Sequence, residues 1–283
     1  MLRHCQLCPH RCGVDRLAGE HGRCRSGVMP KVGSWNLHPW EEPPISGTRG
    51  SGTIFFSGCT GRCQFCQNYP ISQLGVGREV TVERLAEMML ELQRKGAHNI
   101  NLVTATHWVA AVLAALPHAL EGGLSLPLLY NTSGFERTET LALLDNVVDI
   151  WLPDAKYADD AVALRLSGFP SYCAHNRAAL REMLRQVGHE LVLDDQGIAC
   201  RGLIVRHMVL PDSVSDTAET LRWIAENLGR QVYVSLMAQY FPAYQCVGDP
   251  VLGRKITEAE YEDAFAALDA VGLENGWVQD LAD

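Results

Sequence analysis

Six short runs of apolar and β-branched residues punctuate the chain, at 53–57, 101–104, 128–131, 149–154, 203–209 and 231–237. Each has the length and composition of a buried strand. Between them the apolar positions fall into the three-to-four spacing of helices, at 82–95, 108–120, 138–144, 176–186 and 216–227, with a last such pattern at 258–270. Alternation with crossover-length connections predicts a parallel sheet, right-handed connections and helices outside. Six units fall short of the eight that close a barrel. The expected fold is therefore α/β, a partial (β/α)6 barrel.

Two segments interrupt this pattern. Residues 191–200, LVLDDQGIAC, place alternating apolar residues around Asp195-Gln196-Gly197, as a hairpin does. Residues 36–47, NLHPWEEPPISG, are proline-rich and read as an extended connector. The expected organisation is a cysteine-rich head at 1–35, a connector at 36–52 and the barrel at 53–283. A chain of 283 residues that is 47% hydrophobic and 20% charged can bury a large core.

Charge narrows the partners. The formal net charge of −9 argues against nucleic acid or an anionic membrane as a partner for the whole molecule. The first 31 residues are the exception, with six basic side chains against two acidic ones, or +4, which leaves −13 for the remainder. The longest apolar run, 108–116, falls short of the roughly 20 residues of a membrane span, and the expectation is a cytoplasmic protein. In that compartment ten cysteines point to metal ligands and buried small residues rather than disulfides.

Directly after the first strand, CTGRCQFC presents Cys59, Cys63 and Cys66, with Gly58 and Gly61 allowing a tight loop. A structural zinc site takes four protein ligands, and no fourth cysteine follows at short range. A 4Fe-4S cube held by three thiolates leaves one iron open. The spacing C-x3-C-x2-C, with the aromatic Phe65 before the third cysteine, resembles the signature of the radical S-adenosylmethionine (SAM) superfamily. That resemblance implies a 4Fe-4S cluster whose open iron chelates SAM, and reductive cleavage to a 5'-deoxyadenosyl radical.

The resemblance extends to the branch named for its likeness to pyruvate formate-lyase-activating enzyme. It covers CQLCPHRCGVDR, EEPPISGTRGSGTIFFSGC, NLVTATHW, LLYNTSGFE, DIWLPDAKY, RGLIVRHMVLP and SLMAQYFP, nearly the whole chain. Thr104-Ala105-Thr106-His107 stands where activating enzymes carry a Gly-Gly-Glu run for the SAM amino group, so Thr104, Thr106 and His107 become candidates for that contact. Asn131 and Ser133 resemble the stretch that reaches the SAM ribose. Asp154 and Lys156 resemble an Asp-x-Lys whose lysine approaches the SAM carboxylate, or form an ion pair of their own. Arg206, charged amid apolar neighbours, should point into the barrel and needs a partner, either that carboxylate or Asp154. Gln239 resembles the last SAM-facing position.

Cys5, Cys8, Cys12 and Cys24 form C-x2-C-x3-C-x11-C in a glycine-rich head too short for its own core. They point to a metal, either zinc or a second iron–sulfur cluster. The spacing differs from the ferredoxin run, which favours zinc. Cys173, Cys200 and Cys246 are isolated and read as buried hydrophobes. The resemblance implies a flavodoxin- or ferredoxin-type electron donor and a glycyl-radical enzyme as the partner activated by hydrogen abstraction. The alternatives are a radical SAM enzyme acting on a small molecule or another polypeptide, and a non-catalytic metal-binding adaptor.

Overall fold

The computed structural model describes residues 1–281. Its strands, among the described residues, are β1 Lys31–His38, β2 Ser51–Phe56, β3 Arg78–Glu79, β4 Ile100–Val103, β5 Leu128–Thr132, β6 Ile150–Pro153, β7 Val192–Leu193, β8 Ala199–Met208, β9 Tyr233–Met237 and β10 Gly276–Val278. The helices are α1 Pro43–Ser46, α2 Tyr69–Ser72, α3 Val82–Arg94, α4 Val109–Glu121, α5 Thr138–Leu141, α6 Asp160–Ser167, α7 Tyr172–Val187, α8 Thr217–Leu228 and α9 Glu258–Ala270. None is long and apolar enough to cross a membrane.

The sheet runs β10-β9-β8-β6-β5-β4-β2-β1-β3 and does not close. From β2 to β10 every neighbouring pair is parallel. The expected partial barrel of six strand–helix units is present, with short β10 as a seventh parallel strand. Its strands read as continuous apolar runs because helices cover one face and the lumen the other: β5 and β6 are buried at every position. Strand periodicity then decides what the lumen contains. Leu128, Tyr130 and Trp151 pack outward under the helices, whereas Leu129, Ile150, Leu152 and Ile204 face inward. One step further along the same inward rows come Asn131, Asp154 and Arg206. The lumen is thus apolar below and polar at the carboxyl ends of the strands.

The segment 36–52 differs from an extended connector. Residues 36–38 complete β1, which pairs antiparallel with β2 from Val32↔Phe56 to His38↔Ser51. Proline then opens α1, where Pro is tolerated because the first turn leaves its N–H unpaired anyway. This turn is driven into the lumen, with Ile45 fully buried against Leu129, Ile150, Leu152 and Ile204. The Asn99 amide fixes it by donating to the Ile45 carbonyl at 2.8 Å. Residues 191–200 do form a hairpin, β7 pairing antiparallel with the start of β8. Helix α6 has no counterpart in the sequence reading. Of the isolated cysteines only Cys246 is buried, while Cys173 and Cys200 are half-buried.

The head packs on the barrel through buried polar contacts. Arg16, 2% exposed, donates to the carbonyls of His107 and Gly27, both at 2.8 Å, and stacks over Trp108 at 5.1 Å. Thr140 donates to the Leu7 carbonyl at 2.8 Å. Beside this seam Glu136 lies fully buried, accepting from Thr106 and Thr132, with its second carboxylate oxygen unpartnered. Burial pushes its pKa up to about 7 against the lowering effect of the two hydroxyls.

A carboxyl group whose pKa is raised on folding contributes stability that is fully present below its unfolded pKa and is lost as pH rises through its folded one. Glu136→Gln should therefore gain stability relative to the wild type between about pH 4.5 and 7, by up to about 3 kcal/mol at higher pH. Urea unfolding of both proteins across that range checks this; a difference independent of pH would contradict it.

Candidate active site

A cavity of about 420 Å³ occupies the carboxyl ends of the parallel strands. Its wall carries Cys59, Cys63, Phe65 and Cys66 from the loop after β2, Thr104 after β4, Asn131 and Ser133 at β5, Asp154 and Lys156 at β6, Arg206 in β8 and Gln239 after β9. The topology therefore brings eleven of the thirteen residues expected at the radical site to one place. Thr106 and His107 do not line it. Thr106 gives its hydroxyl to buried Glu136, and His107 turns toward the head, bonding the Ser57 carbonyl at 3.0 Å. The reason is local: Thr104 adopts a left-handed backbone, φ +60°, and the chain turns at once into the 3-10 turn at Thr106–Trp108.

The cysteine loop owes its shape to close packing. Gly58 has φ +80°, and a side chain on Gly61 would meet the Phe169 ring at 2.7 Å. Each sulfur has one polar neighbour: Cys59 Sγ accepts from the Gly61 N–H at 3.3 Å, Cys63 Sγ from the Ser167 hydroxyl at 3.0 Å, and Cys66 Sγ lies 3.1 Å from the Ser72 hydroxyl. Burial, then the neighbouring Cys63, pushes the Cys59 thiol up to about 12. Burial raises the Cys63 thiol as well, so these two are unreactive when free. A bound metal would favour the thiolate at both positions, and three thiols on one wall with no fourth among its lining residues match a cluster with one open iron.

Opposite the loop, Asp154 is shared by two cations. Its Oδ2 is 2.6 Å from Lys156 Nζ, and its Oδ1 accepts from Arg206 Nη2 at 2.9 Å and Nε at 3.0 Å. Burial would raise the Asp154 pKa, but Arg206 and then Lys156 hold it below the usual carboxylate range. Arg206 also donates to Asn131 Oδ1 at 2.6 Å and reaches Glu41 at 3.5 Å. Glu41 accepts from Asn101 at 2.9 Å and from Asn131 at 3.3 Å, and burial raises its pKa despite Arg206. The sequence reading missed Glu41. Its signal was an acidic pair, Glu41-Glu42, in a stretch that the prolines made read as an extended connector.

Helix α7 fixes the two central strand ends. The Tyr172 hydroxyl accepts from the Lys156 N–H at 3.0 Å and lies 2.9 Å from the Ser133 carbonyl, to which it donates. The Asn176 amide donates to the carbonyls of Asp154 at 2.9 Å and Gly134 at 3.3 Å. Gly134 is required here, since a side chain would meet the Asn176 amide and the Asp154 carbonyl at 2.1 and 2.2 Å.

The radical SAM superfamily model matches residues 53–224, from β2 into α8. The chain belongs to the radical SAM superfamily. This radical SAM chain is also 28% identical over 97% of its length to an uncharacterized protein of Methanocaldococcus jannaschii, covering 77% of that protein. Among solved structures it resembles the FeFe-hydrogenase maturase HydG of Carboxydothermus hydrogenoformans, with TM-score 0.51 and 13% identity over 78% of this chain and 50% of that one. A second HydG structure gives TM-score 0.54 and 12% identity over 83% and 53%. The chain thus spans about half the length of these maturases, and the likeness shows the fold. Family membership implies an enzyme that uses a 4Fe-4S cluster and SAM, and the three-cysteine wall suits that cluster.

Tyr172→Phe removes a hydroxyl that serves three backbone groups. It should cost about 1–3 kcal/mol of stability, the usual penalty for buried polar groups left unpaired, and should weaken SAM binding because Ser133 and Lys156 lose their common anchor. Thermal unfolding and equilibrium dialysis with labelled SAM test the two effects.

Proposed function

We propose that this radical SAM enzyme acts on a polypeptide, taking a hydrogen atom from a glycine of a partner glycyl-radical enzyme. The observation supporting this is the mouth of the site. Past Trp40, Gln67 and Gln239, which border both spaces, the cavity adjoins a groove of about 610 Å³ whose wall includes Phe241 and Lys255. Trp40 is 80% exposed and Phe241 44%. An open groove with projecting aromatic side chains suits an extended chain segment, whereas small-molecule sites bury most of their ligand.

When bound, the cluster and SAM supply one-electron cleavage of the sulfonium and a carbon radical able to take hydrogen from a glycyl Cα. The residues of this chain hold and orient. Cys59, Cys63 and Cys66 are the cluster ligands. Lys156 and Arg206, kept charged by Asp154, are the cations for the SAM carboxylate, and Asn131, Ser133, Thr104 and Gln239 offer polar groups to the rest of the molecule. Phe65, edge-on to Tyr240 at 5.9 Å, stiffens the loop between its second and third cysteines. A flavodoxin- or ferredoxin-type protein supplies the electron, and Cys5, Cys8, Cys12 and Cys24 hold a second metal centre.

Glu41 favours a second reading. A buried carboxylate lining the cavity beside Arg206 would recognise a cationic small molecule, making the target a metabolite.

Anaerobically reconstituted protein given a reductant should form 5'-deoxyadenosine, and Cys63→Ala should abolish it. With a glycyl-radical polypeptide deuterated at glycine, deuterium should pass into the 5'-deoxyadenosine. Deoxyadenosine formation without transfer from the polypeptide, but with transfer from a deuterated amine, would decide for the second reading.

A further inference from the structure

A further cavity, of about 310 Å³, lies where head and barrel meet. Among the described residues only Ser72 lines both this cavity and the active-site chamber, and Trp40, Gln67 and Gln239 at the chamber's mouth take no part in it. The cavity nevertheless reaches the cysteine loop. Ser57 and Gly58 on its wall lead directly into Cys59. The Ser72 hydroxyl lies 3.1 Å from Cys66 Sγ. Arg62, also on the wall, donates to the carbonyls of Cys59 at 3.2 Å and Gly61 at 3.1 Å.

Cations dominate this wall. Arg25, Lys31 and Arg62 stand against one acid, Glu79. Among the described residues none of the three cations has a carboxylate within 4.0 Å. Arg62 directs its remaining hydrogen bonds to neutral oxygens, the Arg23 carbonyl and the Gln73 side chain. Burial lowers the Arg62 pKa, and Arg23 and Arg25 lower it further against the opposing effect of Cys59. Positive charge is thus gathered here without compensation, on a chain whose net charge is −9. An acidic macromolecule is repelled by the molecule as a whole and attracted to this face.

The same face carries apolar side chains. Leu74 on the cavity wall and Val76 two residues on are 64% and 56% exposed. Apolar groups rimmed by charge suit a small, transient protein contact, the class to which electron-transfer encounters belong. Radical formation at the loop requires such an encounter, because the sulfonium is cleaved by an electron from outside the chain. With SAM on the open iron and a substrate in the mouth, that electron has to enter from another side.

We propose that the basic cavity between head and cysteine loop, with Arg25, Lys31 and Leu74 as contact residues, is the docking face for an acidic protein that carries one low-potential electron. One electron leaves the reduced carrier and arrives on the loop cluster; no atom or proton crosses and no bond forms at this face. The inference rests on the radical chemistry and donor class proposed above and is independent of the glycyl-radical target.

Binding of oxidised flavodoxin to the anaerobically reconstituted full chain, measured by calorimetry, should weaken as ionic strength rises from about 0.05 to about 0.5 M. Arg25→Glu/Lys31→Glu should weaken it about tenfold or more at low salt and flatten the salt dependence. In stopped flow, flavodoxin hydroquinone should reduce that variant about tenfold more slowly, while the methyl viologen radical, a small cation, reduces its loop cluster at least as fast as in the wild type. Leu74→Asp should act in the same direction as the charge reversal. Flavodoxin affinity and rate unchanged in both variants overturn the proposal, as does a wild type that flavodoxin neither binds nor reduces. Should the charge reversal cost the chain its iron, seen as loss of methyl viologen reduction too, Leu74→Asp decides alone. Failure of the glycyl-radical reading would appear instead in the deuterium transfer, which none of these measurements uses.

Discussion

Asp154, buried between Lys156 and Arg206, is the interaction on which the site depends. The ladder between β6 and β8 is short, with Ile150↔Gly202 and Trp151↔Leu203 paired and Asp154↔Arg206 as a further bridge. The polar end of this seam is held by side chains: Arg206 across to Asp154 and Asn131, and Tyr172 and Asn176 from behind. Buried ion pairs contribute little net stability against desolvation, but removing one partner leaves an uncompensated charge. The cluster of charges thus specifies geometry more than it adds stability. It also keeps two cations in a cavity that would otherwise repel them.

Much of this was legible in the sequence. The six central strands showed as continuous apolar runs because both faces are covered, and the cysteine loop showed because thiol spacing is chemistry rather than context. Arg206 was legible for the same reason, since a guanidinium in an apolar strand must find a partner. Other features depend on tertiary placement. β1 is flanked on its outer side only by two-residue β3 and has half-exposed positions, so its pattern carries little apolar signal. His107 and Thr106 sit in the right segment, but the backbone turn at Thr104 directs them to the head and to Glu136, and nothing in TATHW announces a left-handed threonine.

Glu41 shows a third kind of limit. Two adjacent acids in a proline-rich stretch read as part of an extended connector, yet the chain leading into α1 places Glu41 in the lumen, where Arg206, Asn101 and Asn131 compensate it. Sequence patterns report what each element exposes to its own period. They do not report that one element is threaded through another.

That threading also governs traffic. Ile45 and its neighbours stopper the lumen on the side away from the cysteine loop, so molecules reach the chamber from the mouth beside Trp40. A chamber closed at that end makes its occupants neighbours: a molecule held against Glu41 and one lying across the cysteines would share one space and one way out.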